Sequence, residues 1–477
     1  MKNSKLLYVV LFILTIWSCQ QKEIQEMTYR PEYHLTPPQN WTNDPNGLIF
    51  LDGEYHVFYQ HNPFGDKWGH MSWGHAISKD LVTWEHLPVA IPEFDNSDGS
   101  TSMIFSGSAV VDSANTSGFF EDGFTTGMVA IFTVHVDSSG KGMGQYQSIA
   151  YSSDKGRTWT HYEGNPVLDL GMKDFRDPNV IWNNQRNSWL MTVVKPQEYT
   201  AQFYESHDLK KWELLSEFGK QGDTTKIWEC PALFEVPVEN SNETKWVLLI
   251  SSGHKTPGFI GMQYFVGDFD GKSFTPQVQS NAFQLDAGKD FYAAIPFNNL
   301  PIQHQKPVIM GWTTNWAYAN DTPNKGFRGG FSFPRELSLY NENGTYRLTN
   351  SPIVSKDIQT VELSKENPEA DFENPVFHIH LGQIEDYFEL QLEQSESEFT
   401  LISVSNGVLT FDRTQSGKVD FNSSFASKDQ MEIGNFESLD LYMDQSVIEL
   451  FVNDGKKVMT QQVFPTQKPL KAILQFP

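Results

Sequence analysis

The sequence feature that most constrains the fold is a loose repeat in which a short strand-forming run ends in a turn led by aspartate. An aromatic residue follows the turn and opens the next run, and the aspartate side chain can cap such a turn with its own carboxylate. The copies are residues 78–84, 152–159, 206–212 and, more weakly, 268–274. Repeated units of this kind are typical of the blades of a β-propeller. Four copies, with one further blade built from the N-terminal hairpins, predict about five blades.

The rest of the pattern is also that of an all-β chain. Short alternating runs such as residues 55–59 lie between Gly, Asp, Asn and Pro turns, and no long segment has the 3.6-residue period of a helix. Towards the C-terminus the runs become shorter and more regular, as in residues 377–381 and 446–452. We therefore predict a five-bladed β-propeller over residues 29–352 and a β-sandwich over residues 358–477.

The first 19 residues have the composition of a targeting segment. Lys2 and Lys5 precede an apolar run over residues 6–17, which is shorter than the roughly 20 residues of a membrane-spanning helix. A serine and Cys19 follow, which resembles the cleavage site of bacterial lipoproteins. We predict a lipoprotein signal peptide over residues 1–19, lipidation of Cys19, and an exported protein anchored in the bacterial cell envelope, facing the periplasm or the cell surface. An ordinary signal peptide with an incidental cysteine is the alternative.

Composition narrows the choice of partners. The net charge of −24 argues against nucleic acid, because binding to it depends on Lys and Arg side chains that neutralise phosphates. An acidic surface of this kind favours solubility. Aromatic residues make up 14% of the chain, with 13 tryptophans, and those not needed in the core can serve as platforms for sugar rings. A carbohydrate is therefore the ligand that composition favours, with the membrane reached only through the lipid anchor.

Three carboxylates lie in unusual local settings, each followed closely by proline. They are Asp44 in Trp-Thr-Asn-Asp-Pro-Asn-Gly, Asp177 in Phe-Arg-Asp-Pro-Asn and Glu229 in Trp-Glu-Cys-Pro. Proline removes a backbone donor and restricts the chain, so each acid is expected at a strand end or a turn. The blades of a propeller converge on a central channel, and each blade can contribute one group to it. The three acids are therefore predicted to meet there, although they are far apart in sequence.

Glycoside hydrolysis is the chemistry that such a set of acids can perform. One carboxyl group protonates the leaving oxygen while another attacks the anomeric carbon or activates water, and a third can stabilise the positively charged transition state. Crowding of like charges is expected to raise the pKa of the proton donor. This chemistry requires no metal and no organic cofactor, and we expect neither. The spacing of His61, His70, His75 and His86 follows no metal-ligand pattern.

At these residues the chain resembles glycoside hydrolase family 32, which contains invertases, inulinases and levanases. The segment around Asp44 is similar to the family motif Trp-Met-Asn-Asp-Pro-Asn-Gly, with Thr42 in place of Met. The segments around Asp177 and Glu229 are similar to its Arg-Asp-Pro and Glu-Cys-Pro motifs. The resemblance covers the whole chain after the leader, and it too implies a five-bladed propeller followed by a β-sandwich. It implies a retaining hydrolase of levan, inulin and sucrose, with Asp44 as nucleophile, Glu229 as acid/base and Asp177 as the residue that stabilises the transition state.

The resemblance also implies which side chains line a fructose pocket. They are Asn43, Gln60, Trp68, Phe105, Ser106, Arg176 and a tryptophan that is either Trp312 or Trp316, with Trp316 preferred. Residues 263–271 and the segment around Phe105 are similar to exo-inulinases and levanases, so we expect single fructose units to be released from chain ends. An endo-acting enzyme with an open groove is the alternative, and the sequence leaves the preference between β-2,1 and β-2,6 linkages open.

Other functions explain fewer of these features. Residues 152–159 also resemble the Asp box of sialidases, but the chain lacks the arginine cluster that those enzymes need. An inverting, arabinanase-like hydrolase shares the propeller and the three acids, with a carboxyl pair about 6.5–9.5 Å apart instead of about 5–5.5 Å. Neither accounts for the motif over residues 41–47. A lipid-anchored sugar-binding protein with an inactive site would be expected to lack one of the acids, and all three are present.

Overall fold

A computed structural model of the chain describes residues 29–476, apart from residues 122, 253–260, 279–281, 383, 385–386 and 468–469. The predicted signal peptide and Cys19 lie outside the described residues. Within them the prediction of an all-β chain is confirmed, with 34 strands and a single 3-10 turn at Pro196–Glu198. Across the same ranges, no helix has the length and apolar character that crossing a bilayer requires.

Residues 40–352 form five sheets in chain order, and we call this part the N-terminal unit. Sheet 1 contains β1 (Asn40–Leu51), β2 (Glu54–Asn62), β3 (Ser72–Ser78) and β4 (Trp84–Ile91). Sheet 2 contains β5 (Phe94–Asp95), β6 (Thr101–Val111), β7 (Met128–Ser138), β8 (Lys141–Ser152) and β9 (Thr160–His161). Sheet 3 contains β10 (Arg176–Asn183), β11 (Ser188–Lys195), β12 (Thr200–Ser206) and β13 (Glu213–Gly219).

The last two sheets of the N-terminal unit follow the same meander. Sheet 4 contains β14 (Trp228–Pro237), β15 (Thr244–Ser252), β16 (Gly261–Phe269), β17 (Phe274–Pro276) and β18 (Phe283–Gln284). Sheet 5 contains β19 (Tyr292–Pro296), β20 (Val308–Trp312), β22 (Arg335–Glu342) and β23 (Thr345–Pro352). The short strand β21 (Phe327–Arg328) instead pairs in parallel with β1. All other ladders of these five sheets are antiparallel.

Residues 360–475 form two further sheets, which we call the C-terminal unit. Sheet 6 contains β24 (Thr360–Glu362), β26 (Val376–Leu381), β31 (Leu439–Asp444), β32 (Val447–Val452) and β33 (Lys457–Gln462). Sheet 7 contains β25 (Glu369–Phe372), β27 (Phe388–Ser395), β28 (Glu398–Ser405), β29 (Val408–Asp412), β30 (Lys428–Glu432) and β34 (Leu470–Gln475). Buried apolar side chains from both sheets share one core, and the strict alternation along β26 and β28 shows why the sequence is periodic there.

The repeated turns of the sequence form the outer hairpins β3–β4, β8–β9, β12–β13 and β16–β17. The Asp80 carboxylate accepts the backbone N–H groups of Val82 and Thr83 at 2.9 and 2.7 Å. The corresponding carboxylates, those of Asp154, Asp208 and Asp270, accept equivalent backbone donors. The aspartates therefore cap turns, and each copy of the repeat corresponds to one hairpin in each of sheets 1 to 4.

The first long strands of the five sheets form a closed ring. β1 contacts β6, β6 contacts β10, β10 contacts β14, β14 contacts β19, and β19 contacts β1. Each of these strands has a register shift near its N-terminal end. Such a β-bulge redirects the side chains next to it. The ring therefore brings five bulges, and the side chains that they redirect, into one region.

The two units are joined by a buried network of charged side chains. The Arg335 guanidinium donates to Glu449 at 2.7 Å and to Asp286 at 2.9 Å. His34 lies between Glu449 at 3.1 Å and Asp444 at 2.8 Å. All of these side chains are almost completely buried. Because buried charges are tolerated only when paired, this network fixes how the units dock.

Candidate active site

Each of the three sequence-predicted acids lies at one of the five bulges. Asp44 falls between the paired residues Thr42 and Pro45 of β1, and Asp177 falls between the paired residues Arg176 and Asn179 of β10. Glu229 is the last paired residue before the bulge of β14. Pro178 and Pro231 fall inside their bulges, where the ladder is interrupted and a missing N–H costs little, and Pro45 is the first paired residue after the bulge of β1. The local sequence thus explains why the strand turns its acid towards the centre.

Asp44 is partly buried and is held by three donors. Ser106 Oγ donates to Oδ2 at 2.7 Å, Asn43 Nδ2 donates to Oδ1 at 3.1 Å, and Cys230 Sγ lies 3.4 Å from Oδ2. Burial and the nearby charge of Glu229 raise the pKa of Asp44, and the three donors act in the opposite direction by stabilising the carboxylate. Cys230 acts only as a donor here, because burial and the surrounding acids raise the pKa of its thiol well above the usual value.

Asp177 is held in a conformation that few residues adopt. Its φ is +66°, in the left-handed region, and its Oδ2 accepts the backbone N–H of Cys230 at 2.9 Å. Burial raises the pKa of Asp177 to about 7, although the Arg176 guanidinium opposes this and the charges of Glu229 and Asp44 add to it. Strained backbone of this kind is concentrated at functional sites, where the surrounding structure maintains it.

Glu229 is oriented through both carboxylate oxygens. Arg176 Nη2 donates to Oε1 at 3.0 Å, and the Tyr292 hydroxyl donates to Oε2 at 2.7 Å. Burial alone would lower the pKa of Arg176, but Glu229, Asp177 and Asp174 outweigh it and the pKa is raised, so the guanidinium stays charged. The Arg176 guanidinium thus lies beside Glu229, Asp177 and Asp174, and its positive charge offsets part of the repulsion between these carboxylates.

These acids open into one cavity of about 300 Å³, which lies at the small end of the range for ligand pockets. Its lining contains these sequence-predicted residues: Asn43, Asp44, Gln60, Trp68, Phe105, Ser106, Arg176, Asp177, Glu229 and Trp316. Gln60 is fixed by donation from its amide to the carbonyl of Ile104 at 3.0 Å. Trp68 is 42% exposed and therefore lies at the rim, whereas the acids lie at the base.

The two candidate tryptophans differ in position. Trp316 lines the cavity, whereas Trp312 is fully buried and does not. Trp312 Nε1 donates to the carbonyl of Thr42 at 3.0 Å, and its ring packs against Trp41 and Trp316. Trp312 therefore supports the wall from behind. Thr42, which replaces the methionine of the motif, donates to the carbonyl of Gln60 at 2.9 Å and ties β1 to β2 next to Asp44.

Sequence reasoning missed several residues of the cavity. His135, Gln145, Asp174 and Asn320 line it, and Tyr292 reaches Glu229 from β19. His135 stacks on Phe105 with ring centroids 4.5 Å apart. Tyr292 directly precedes the bulge of its strand, a position that corresponds to that of Glu229 in β14, but no proline marks it in the sequence.

None of His61, His70, His75 and His86 belongs to a group of three potential metal ligands among the residues that the structure describes. His61 Nδ1 lies 2.8 Å from the carbonyl of Trp41, and His75 pairs with the ring of His56 at 3.0 Å.

Known protein families match the chain over both units. Residues 34–352 match the N-terminal domain of glycosyl hydrolases family 32, and residues 336–476 match the C-terminal domain of the same family. The chain belongs to glycosyl hydrolase family 32. Among family 32 relatives, the levanase of Bacillus subtilis (strain 168) is 42% identical over 465 residues, which cover 92% of this chain and 66% of the levanase. The extracellular exo-inulinase of Aspergillus ficuum is 36% identical, with 94% of this chain and 92% of that protein covered.

Solved family 32 structures have the same fold. The exo-inulinase from Aspergillus awamori superposes with a TM-score of 0.81 at 34% identity, and the match covers 94% of this chain and 95% of that one. A fructofuranosidase from Schwanniomyces occidentalis complexed with fructose has a TM-score of 0.82 at 32% identity, with 94% and 95% covered. The likeness therefore includes both units.

Proposed function

We propose that this family 32 protein is a retaining β-fructofuranosidase that releases terminal fructose from levan or inulin and also hydrolyses sucrose. The observation that carries the proposal is the convergence of Asp44, Asp177 and Glu229, from three different sheets, at the base of one small cavity. The levanase, exo-inulinase and invertase names of the relatives define the substrate class. No metal or organic cofactor takes part in the proposed reaction.

In the first step, the Asp44 carboxylate attacks the anomeric carbon of the fructosyl unit and the bond to the leaving oxygen breaks. The donors Ser106, Asn43 and Cys230 hold the carboxylate in place and stabilise its charge. They also limit the rotation of the side chain, which keeps the attacking oxygen oriented. The product of this step is a covalent fructosyl-enzyme.

Glu229 acts as acid and then as base. Its proton passes to the leaving oxygen in the first step, and in the second step it takes a proton from the water that attacks the intermediate. Arg176 and Tyr292 each hold one of its oxygens, so the same carboxyl group is placed for both transfers. Asp177, beside them, binds fructose hydroxyls and offsets the positive charge of the transition state.

The shape of the cavity favours exo-action. Asp177 is buried and Asp44 and Glu229 are partly buried, whereas Trp68 is exposed at the rim, with its ring 6.2 Å from that of Phe105. A cavity of about 300 Å³ has room for a terminal sugar, and in the proposed reaction the rest of the chain stays outside. An endo-acting enzyme would require a groove that continues on both sides of the cut.

The proposal includes the architecture and the cellular location of the protein. The closed ring of β1, β6, β10, β14 and β19 supports a five-bladed propeller over residues 29–352, and the shared core of sheets 6 and 7 supports a β-sandwich over residues 358–477. The extracellular exo-inulinases among the relatives support export. Lipidation of Cys19 then anchors the enzyme in the cell envelope.

The division of roles is tested with Asp44→Ala and Glu229→Ala in parallel. Both variants should remain folded and lose most activity on sucrose. With a substrate whose leaving group needs no proton, Glu229→Ala should still form the fructosyl-enzyme, and azide should partly restore its turnover. Asp44→Ala should form no fructosyl-enzyme, and azide should not restore its turnover. Equal rescue of the two variants would contradict the assignment.

A further inference from the structure

Away from the catalytic cavity, three side chains of metal-ligand type converge on sheet 6 of the C-terminal unit. His378 and His380 lie on β26, and Asp440 lies on the neighbouring strand β31, directly opposite His380. The residues between and beside the histidines, Phe377, Ile379 and Leu381, are fully buried in the core of the unit. Because side chains alternate along a strand, both histidines are on the face that points away from that core.

The geometry of this cluster is that of a site for one ion. His378 Nε2 and His380 Nδ1 each lie 2.8 Å from Oδ1 of Asp440, and the three potential ligand atoms are all within 4.8 Å of one another. Ligand atoms around a tetrahedral Zn²⁺ are about 3.3 Å apart when the bonds are about 2.0 Å long. We expect side-chain rotation on ion binding to bring the three atoms to that spacing. The side chains are 14%, 36% and 26% exposed, so the cluster is held by the sheet but open to solvent.

A threonine hydroxyl lies beside the other ring nitrogen of His378, on the side away from Asp440. Thr360 Oγ1, on β24, lies 3.2 Å from Nδ1 of His378. With Zn²⁺ bound, Nδ1 donates its hydrogen to Oγ1 of Thr360 and the lone pair of Nε2 points at the ion. A ligating histidine whose other nitrogen donates to a fixed acceptor is the usual arrangement at zinc sites.

We propose that His378, His380 and Asp440 bind a Zn²⁺ ion on the C-terminal unit, with the fourth position open to water. Among the abundant divalent ions, Zn²⁺ is the one that two imidazoles and a carboxylate suit best, because Mg²⁺ and Ca²⁺ prefer oxygen ligands alone. The ion links β26 to β31 directly and β24 through Thr360. It thus fastens the first strand after the N-terminal unit to the sheet that docks on it, and it takes no part in hydrolysis.

The experiment uses the full chain, purified without a polyhistidine tag and treated with a chelator that is then removed. Titration calorimetry with ZnCl₂ should show one ion per chain, and Co²⁺ added in its place should give the visible absorption bands of a tetrahedral site. Thermal unfolding should move to higher temperature with Zn²⁺ and not with Mg²⁺, because the ion binds only the folded protein.

The variants separate ligation from an ordinary ion-pair cluster. His380→Ala and Asp440→Asn should each abolish the Co²⁺ spectrum, and Thr360→Val, which removes no ligand, should weaken Zn²⁺ binding about 10-fold. His207→Ala is the matched control, since it removes an exposed histidine from the N-terminal unit. Sucrose hydrolysis should be unchanged in all four, which verifies that they are folded. Failure of the native chain to bind one Zn²⁺, or equal binding by His380→Ala and His207→Ala, would overturn the proposal.

Discussion

The substitution Arg335→Met tests how the two units are held together. The guanidinium is fully buried and makes four hydrogen bonds, two to Glu449 at 2.7 and 3.1 Å, one to Asp286 at 2.9 Å and one to Thr460 at 2.7 Å. Methionine keeps much of the apolar stem but leaves two buried carboxylates without their main cation. Removal of one partner from a buried pair costs about 3–5 kcal/mol.

The remaining contacts place the effect at the lower end of that range. Glu449 keeps its bonds from His34 and from the backbone of Phe333, and Asp286 keeps those from Thr460. We therefore expect the free energy of unfolding to fall by about 3 kcal/mol. Urea unfolding followed by tryptophan fluorescence measures it, and activity in the absence of urea should stay near the native level, because the network does not line the catalytic cavity.

Arg347→Met is the matched control. Arg347 also pairs with a carboxylate, Glu342 at 2.8 Å, but both side chains are substantially exposed. Exposed pairs contribute at most about 1 kcal/mol, because water screens them. If Arg335→Met lowered the stability no more than Arg347→Met does, the buried network would not be what docks the units.

Further predictions concern pH, substrate and location. Burial alone would lower the pKa of His34, but Asp444 and Glu449 outweigh it and raise the pKa to about 9. Its contribution of about 3 kcal/mol is therefore complete below pH 6.5 and is lost as the pH rises through about 9, so urea unfolding of His34→Gln should show a flatter pH profile than that of the native chain over this interval. A time course on levan and inulin should release fructose within the first minutes with slow loss of polymer length, whereas early oligosaccharides would indicate endo-action. Cys19→Ala should move active enzyme from the detergent phase to the aqueous phase, and unchanged partitioning would count against lipidation.

Much of the architecture could be predicted because it depends on local patterns. Two-residue alternation and Asp-led turns are determined by neighbouring side chains, so the all-β character and the hairpin turns could be read directly from the sequence. The acids Asp44, Asp177 and Glu229 were identifiable because a proline next to a strand acid marks an interrupted ladder. Their convergence in one cavity agrees with that expectation.

The features that escaped prediction depend on contacts between distant segments. Tyr292 reaches the site only because the ring of strands brings its bulge beside Glu229. Whether Trp312 or Trp316 faces the cavity depends on how the chain turns after β20, and periodicity does not specify that turn. The cluster of His378, His380 and Asp440 was missed for the same reason, since strand pairing unites residues about 60 positions apart.

The stereochemistry of hydrolysis tests the central claim, that Asp44 is a nucleophile, most directly. Sucrose or levan is hydrolysed in the NMR tube at high enzyme concentration, and the fructose signals are recorded before the product equilibrates. A retaining reaction through a fructosyl-Asp44 intermediate predicts that β-fructofuranose appears first, because two successive inversions restore the configuration. Initial appearance of the α-anomer would show a single displacement by water and would contradict the assignment of Asp44.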